Sequence, residues 1–337
     1  MRRVLPVAVA LLLMAQTATS APRSSEPRLA PGQLSGQPSF IQRVEPAVVG
    51  IHVEVPPDRP SARTLGAERW GSGVIVDRAG HILTVSYIVT DAQKIAVSLR
   101  DGRTLPATLT GIDFESGVGV IRLEGAGSWP SAVLGNSNTV KVGDAAAIVG
   151  ITEEKRAVVT HGTIRAIQPF TAYWEYLLER AILVAPTNPA FGGSPLVNSQ
   201  GEVIGITSLR LGDPPHVNLA IPIDLFHPVK EDLFANGRAN RPPRPWLGLS
   251  AFPGDDGVII GRVGLVGPAR QAGLRPGDVI IRLNGEKVEG LEDFYRKLWR
   301  TAIGDDVKLT VRREARFEVI TVRPADRYQF THTRGRH

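Results

Sequence analysis

The sequence predicts a mainly β protein, a large all-β domain followed by a small α+β module, and three observations carry that reading. Between residues 39 and 234 short apolar runs recur at close spacing with turn pairs between them, and few stretches show a helical period. Glycine and proline, 35 and 26 of 337 residues, are both above average usage, which favours short strands and turns over long helices. After a proline-rich break, residues 246–326 mix strand runs with two short helical periods, the pattern of a compact α+β unit.

The elements follow in chain order. Met1-Arg2-Arg3, the apolar run Val4 to Ala15 and the ending Ala18-Thr19-Ser20 have the order of a secretory signal peptide, placed at 1–20 with cleavage after Ser20. The alternative is an uncleaved membrane anchor, although the apolar run is short for a bilayer. Residues 21–38 are rich in Pro, Ser, Gly and Gln and read as a flexible N-terminal segment. The β domain, 39–234, contains runs such as Val48-Val49-Gly50-Ile51, Gly73-Val74-Ile75-Val76, Gly119-Val120-Ile121 and Val203-Ile204-Gly205-Ile206, with Asp101-Gly102 and Gln200-Gly201 as turns. Residues 235–245, polar and proline-rich, read as a linker, and 327–337 as a polar tail.

The net charge of +6 is carried by scattered arginines with no run longer than two basic residues, a solvated surface rather than a nucleic-acid patch. No cysteine is present, which excludes a cysteine nucleophile, thiolate metal sites and disulfides. The seven histidines, His52, His81, His161, His216, His227, His332 and His337, show no helical ligand spacing, so neither metal nor cofactor is expected.

In the C-terminal module, Gly267-Pro268-Ala269-Arg270-Gln271-Ala272-Gly273-Leu274-Arg275-Pro276-Gly277-Asp278 followed by Val279-Ile280-Ile281 and Asn284-Gly285 resembles the PDZ signature. Trp246-Leu247-Gly248-Leu249 looks like the carboxylate-binding loop of HtrA-type PDZ domains. The resemblance implies that successive N–H groups receive a peptide's terminal carboxylate while the peptide adds to the sheet edge. It also implies that a helix carrying Phe294 and Leu298 forms the other wall of the groove. The alternative is that these apolar residues are core.

The β domain resembles the protease domain of the HtrA/Deg family, through Val44-Glu45-Pro46-Ala47-Val48-Val49, Gly71-Ser72-Gly73-Val74, Thr187-Asn188-Pro189, Pro195-Leu196-Val197-Asn198 and Leu219-Ala220-Ile221-Pro222. That resemblance implies a trypsin-like double β-barrel with an active site between the barrels. It also implies a Ser-His-Asp triad, and the corresponding positions here hold other residues. The histidine position holds Tyr87, the aspartate position Gly117 and the serine position Gly192, while the oxyanion-hole glycine is replaced by Ala190. A phenol is a poor base at neutral pH and glycine carries no functional group. Losing the serine or the histidine alone costs about 10⁶ in turnover.

The sequence therefore points to an exported, most simply periplasmic, pseudoprotease. Its partners would be polypeptide C-termini or unfolded proteins, or an active HtrA-type relative, and the resemblance implies a homotrimer. The alternative is an active endopeptidase of envelope quality control with relocated residues, Ser194 being the candidate nucleophile.

Overall fold

A computed structural model describes residues 36–331. The signal peptide expected at 1–20, residues 21–35 of the N-terminal segment and residues 332–337 of the tail lie outside the described residues. The chain forms two compact units. The first runs to Gln168 and resumes over Ala181–Ala239, and the second joins Pro169–Arg180 to the chain from Asn240 onward.

The first unit opens with a short helix α1 (Ser39–Val44), which buries Ile41 and Val44. Six strands then close a barrel in the order β1-β2-β3-β6-β5-β4: β1 (Val48–Glu54), β2 (Glu68–Ile75), β3 (His81–Val85), β4 (Lys94–Ser98), β5 (Thr104–Asp113) and β6 (Val118–Leu123). Two one-turn helices interrupt it, α2 (Ala62–Leu65) before β2 and α3 (Ser86–Val89) directly after β3. All pairings are antiparallel, for example Leu83 opposite Val120 and Ile51 opposite Val97. A second closed barrel, β10-β11-β12-β9-β8-β7, uses β7 (Ala145–Ile151), β8 (Ala157–Ala172), β9 (Tyr176–Ala185), β10 (Pro195–Asn198), β11 (Val203–Leu211) and β12 (Val217–Pro222). Its interior is a small-residue and branched core of Ala146, Ile148, Ile164, Ile182, Val184, Leu196, Ile204 and Ala220. Closure removes free sheet edges, which is how an all-antiparallel unit of this size avoids edge pairing.

The second unit is built on a sheet in the order β14-β15-β16-β18-β19: β14 (Leu249–Gly254), β15 (Gly257–Val263), β16 (Val279–Leu283), β18 (Val307–Arg313) and β19 (Arg316–Val322), with β17 (Glu286–Lys287) paired to β16. β13 (Pro245–Trp246) pairs with β20 (Ala325–Asp326). Helix α5 (Pro268–Gln271) follows the Gly267 turn, and α6 (Leu291–Leu298) buries Leu291, Phe294, Tyr295 and Leu298.

Three boundaries differ from the sequence reading. Residues 169–180, placed in the β domain, belong with the second unit. The start of the linker, Ala235 and Asn236, belongs to helix α4 (Lys230–Asn236), held down by buried Leu233 and by the bond from Ile112 N–H to the Gly237 carbonyl. The tail begins later than 327, because Arg327–Phe330 form a turn capped by Asp326 on Tyr328 N–H, and Phe330 lies 5.1 Å from the Trp246 ring.

Asp278, in the Gly-Leu-x-Pro-Gly-Asp turn, is buried. It accepts from Arg275 N–H at 2.9 Å and from Arg313 at 2.8 Å on each oxygen. Burial pushes its carboxyl up, but the Arg313 guanidinium and the Arg275 N–H outweigh burial and hold it below the ordinary carboxylate range. A depressed native pKa means stability that is complete above about pH 4 and lost as the pH falls through the native pKa. Asp278→Asn is therefore expected to destabilise the second unit by about 2 kcal/mol at pH 7. Urea titrations at stepped pH should show the gap to wild type closing in acid, and a gap independent of pH would contradict this assignment.

Candidate functional site

The three positions that the family resemblance assigns to a triad, Tyr87, Gly117 and Gly192, come together inside the first unit. β3 ends at Val85 and turns at once into α3, which presents Tyr87. Gly117 closes the turn between β5 and β6, and its carbonyl accepts from Ser86 N–H at 2.8 Å, beside Tyr87. Gly192 lies in the loop before β10, and a Cβ built on it would stand 3.1 Å from the Tyr87 hydroxyl. The phenol donates to the Ser208 carbonyl at 2.7 Å, and burial pushes its pKa further above the ordinary tyrosine value. It is a fixed, protonated donor at neutral pH, so it cannot take a proton from a nucleophile.

The orienting and oxyanion positions are equally committed elsewhere. Gly117 sits at φ +85°, a conformation that an aspartate adopts only with strain. The nearby Asp113 carboxylate is buried and bonded to Ser116 N–H (3.1 Å) and Oγ (2.6 Å), holding its own turn. The Ala190 N–H donates to Asn188 Oδ1 at 2.8 Å. Asn188 is itself a buried brace, its Nδ2 donating to the carbonyls of Ile148 and Val158 and its N–H to Asn218 Oδ1.

Ser194 is fully buried, and its hydroxyl donates to the Ala190 carbonyl while its own carbonyl accepts from Thr207 N–H and Oγ1. The two histidines that could have served it as a base are engaged elsewhere. His81 bonds to Asp77 (2.6 Å) and stacks on Phe234 (3.9 Å), and His161 bonds to Gln37 and meets the edge of Phe40. Among the described residues no group of three or more His, Cys, Asp or Glu could hold a metal ion.

In the second unit the loop that the resemblance assigns to carboxylate binding meets a carboxylate of the chain itself. The N–H groups of Leu247, Gly248 and Leu249 converge on one carboxylate, that of Glu175, at 2.8, 2.8 and 3.1 Å. Trp246 covers the loop from one side, its ring within 3.1 Å of where a Cβ on Gly248 or Gly267 would stand. Phe294 and Leu298 do not line an open groove wall. Both are fully buried in the module's core with Leu247, Ala251, Ile260 and Val311, because the apolar face of α6 turns onto the sheet. Sequence reasoning missed Glu175 and Tyr295. The one local signal for Glu175 was an acidic residue in the aromatic run Tyr173-Trp174-Glu175-Tyr176.

A unit of two closed six-stranded antiparallel barrels, followed by a small sheet-and-helix module, defines the class of PDZ-bearing trypsin-like proteins. Residues 71–206 match the trypsin-like peptidase domain family and residues 245–323 the PDZ domain family. A DegP-like periplasmic serine endoprotease of Halomonas elongata is 33% identical over 330 residues, covering 91% of this chain and 67% of that protein. The serine protease HhoA of Synechocystis is 32% identical over 293 residues, covering 80% of this chain and 73% of that protein. Among solved structures, the HtrA-type protease AlgW with a decapeptide aligns with a TM-score of 0.54 and 25% identity, covering 85% of this chain and 97% of that one. The serine endoprotease from Yersinia pestis aligns at 0.54 and 26%, covering 85% and 96%. The chain belongs to the HtrA/DegP family of trypsin-like proteins with a PDZ domain. Among the described residues no helix is long and apolar enough to cross a membrane.

Proposed function

We propose that the chain is a periplasmic, proteolytically silent member of its family. In this reading it binds polypeptide C-termini or unfolded segments through the PDZ module and acts as adaptor, chaperone or regulator of an active relative, as a homotrimer of the family kind. The observation that carries the reading is the Tyr87 phenol, standing beside side-chainless Gly192 and bonded to the Ser208 carbonyl. A proton acceptor is missing at the place where triad chemistry requires one. The periplasmic assignment is supported by the Halomonas relative's location and the order of charge and apolarity in residues 1–20.

Denatured casein incubated with the purified chain should be retained on it and remain full length by mass spectrometry. Ser194→Ala should leave both results unchanged, since that hydroxyl is buried and bonded to Ala190. Cleavage that disappears in Ser194→Ala would overturn the silent reading in favour of a relocated nucleophile.

A further inference from the structure

The turn Tyr173-Trp174-Glu175, between β8 and β9, lies in the second unit and meets the carboxylate loop as the last residues of a bound peptide would. One oxygen of Glu175 accepts from Leu247 N–H, the other from Gly248 and Leu249 N–H, so all three donors of the loop are spent on this side chain. Two residues back, the Tyr173 carbonyl accepts from Ala251 N–H of β14 at 2.8 Å, a main-chain bond to the strand along which an added peptide would run. The Tyr173 ring stacks on Phe252 of the same strand at 5.2 Å. From the side of α6, the Tyr295 hydroxyl accepts from Glu175 N–H and donates to the Ala172 carbonyl, both at 2.9 Å. Arg296 grips Glu179 with two bonds of 2.7 Å.

Two features mark this as more than a turn finding convenient partners. Glu175 holds φ +58°, where glycine is the usual residue, so a side chain is kept at a position whose backbone disfavours one. Its carboxylate is also buried, which pushes its pKa up, and the three loop N–H groups and the charge of Arg327 pull against that push. A buried carboxylate is tolerated only where donors meet it, and the donors here are those that a terminal carboxylate needs. Each N–H makes one strong bond, so Glu175 and a peptide C terminus exclude one another.

We propose that Glu175 is a built-in ligand of the carboxylate loop, and that a partner's free C terminus binds only by displacing the Tyr173-Trp174-Glu175 turn. This rests on the reading of the module as a binder of C-terminal carboxylates. It makes the chain's own segment 169–180 the competitor against which every peptide ligand is selected, and it lowers apparent affinity by the fraction of time the turn is docked.

The test uses the full chain and two variants, Glu175→Gln, which keeps the shape without the charge, and Glu175→Gly, which also suits φ +58°. One probe is a fluorescein-labelled decapeptide pool randomised at its last four positions, with a free carboxylate or with an amide. The second readout is amide hydrogen exchange at Leu247, Gly248 and Leu249. The expected result is faster exchange in both variants and about tenfold tighter anisotropy binding of the carboxylate pool only, through removal of the competing turn. Equal binding by wild type and variants would overturn the proposal while leaving the peptide-binding function standing. Faster exchange with no pool bound by any protein would uphold the cis contact and overturn both displacement and the peptide-binding reading. Unchanged exchange would overturn the contact itself.

Discussion

Returning the missing hydroxyl, Gly192→Ser, is expected to leave proteolysis undetectable, about 10⁶ below a site with an intact triad. The serine Cβ would stand 3.1 Å from the Tyr87 hydroxyl, so the new side chain meets a phenol where a base is required. That phenol is bonded to the Ser208 carbonyl and its pKa is pushed above the ordinary tyrosine value, so it remains a donor. Adding Tyr87→His supplies a base without an orienting carboxylate, because Gly117 has none and Asp113 is bound to Ser116. The double variant is therefore expected to stay at least about 10⁴ below full activity, the cost of losing the aspartate's role. Fluorescent-casein turnover and single-turnover ester cleavage measure both variants. Turnover by Gly192→Ser alone would mean that a proton acceptor reaches position 192, contrary to the hydrogen bonds described above.

The barrels and the PDZ module were legible because each rests on many residues repeating one physical rule. Alternating apolar runs specify strands, and the Gly-Leu-x-Pro-Gly-Asp turn specifies the Asp278 contacts that brace the module. That Tyr87 and Gly192 lie near one another was legible because short fixed spacings tie Tyr87 to Leu83-Thr84 and Gly192 to Pro195-Leu196 in the family pattern. The role of Ser194 was not, since whether a hydroxyl faces a cleft or the Ala190 carbonyl depends on loop geometry. Phe294 and Leu298 failed for a related reason. An amphipathic helix announces an apolar face, but not whether a sheet or a ligand covers it. Glu175 was invisible because its partners, Leu247 to Leu249 and Tyr295, are more than seventy residues away in the chain. No local period encodes such a contact, and the only trace is a charged side chain at a left-handed turn.

The packing around Gly192 has a sensitive point at Gly193. Gly193→Ala is expected to destabilise the first unit by about 2–5 kcal/mol, summing left-handed strain and overpacking. At φ +81° an alanine is strained, and its Cβ would stand 2.1 Å from the Ser72 carbonyl oxygen and 2.3 Å from Thr84 Oγ1. Neither neighbour can yield. Ser72 and Thr84 are fully buried, and the same carbonyl accepts from Thr84 Oγ1 at 2.7 Å. Ser72 N–H donates to the Gly192 carbonyl at 2.7 Å, while its hydroxyl accepts from Ile151 N–H and donates to the Ile151 carbonyl, joining β2 to β7. Gly212→Ala is the control. Its φ of +77° is nearly the same, but nothing lies within 4 Å of its Cβ, so only the backbone cost of about 1 kcal/mol is expected. Denaturant midpoints of the two variants separate conformation from collision. Equal losses would show that the Ser72 contact adds nothing. A loss at Gly193→Ala well beyond that at Gly212→Ala would show that the close packing of this loop on Ser72 and Thr84 fastens it in place.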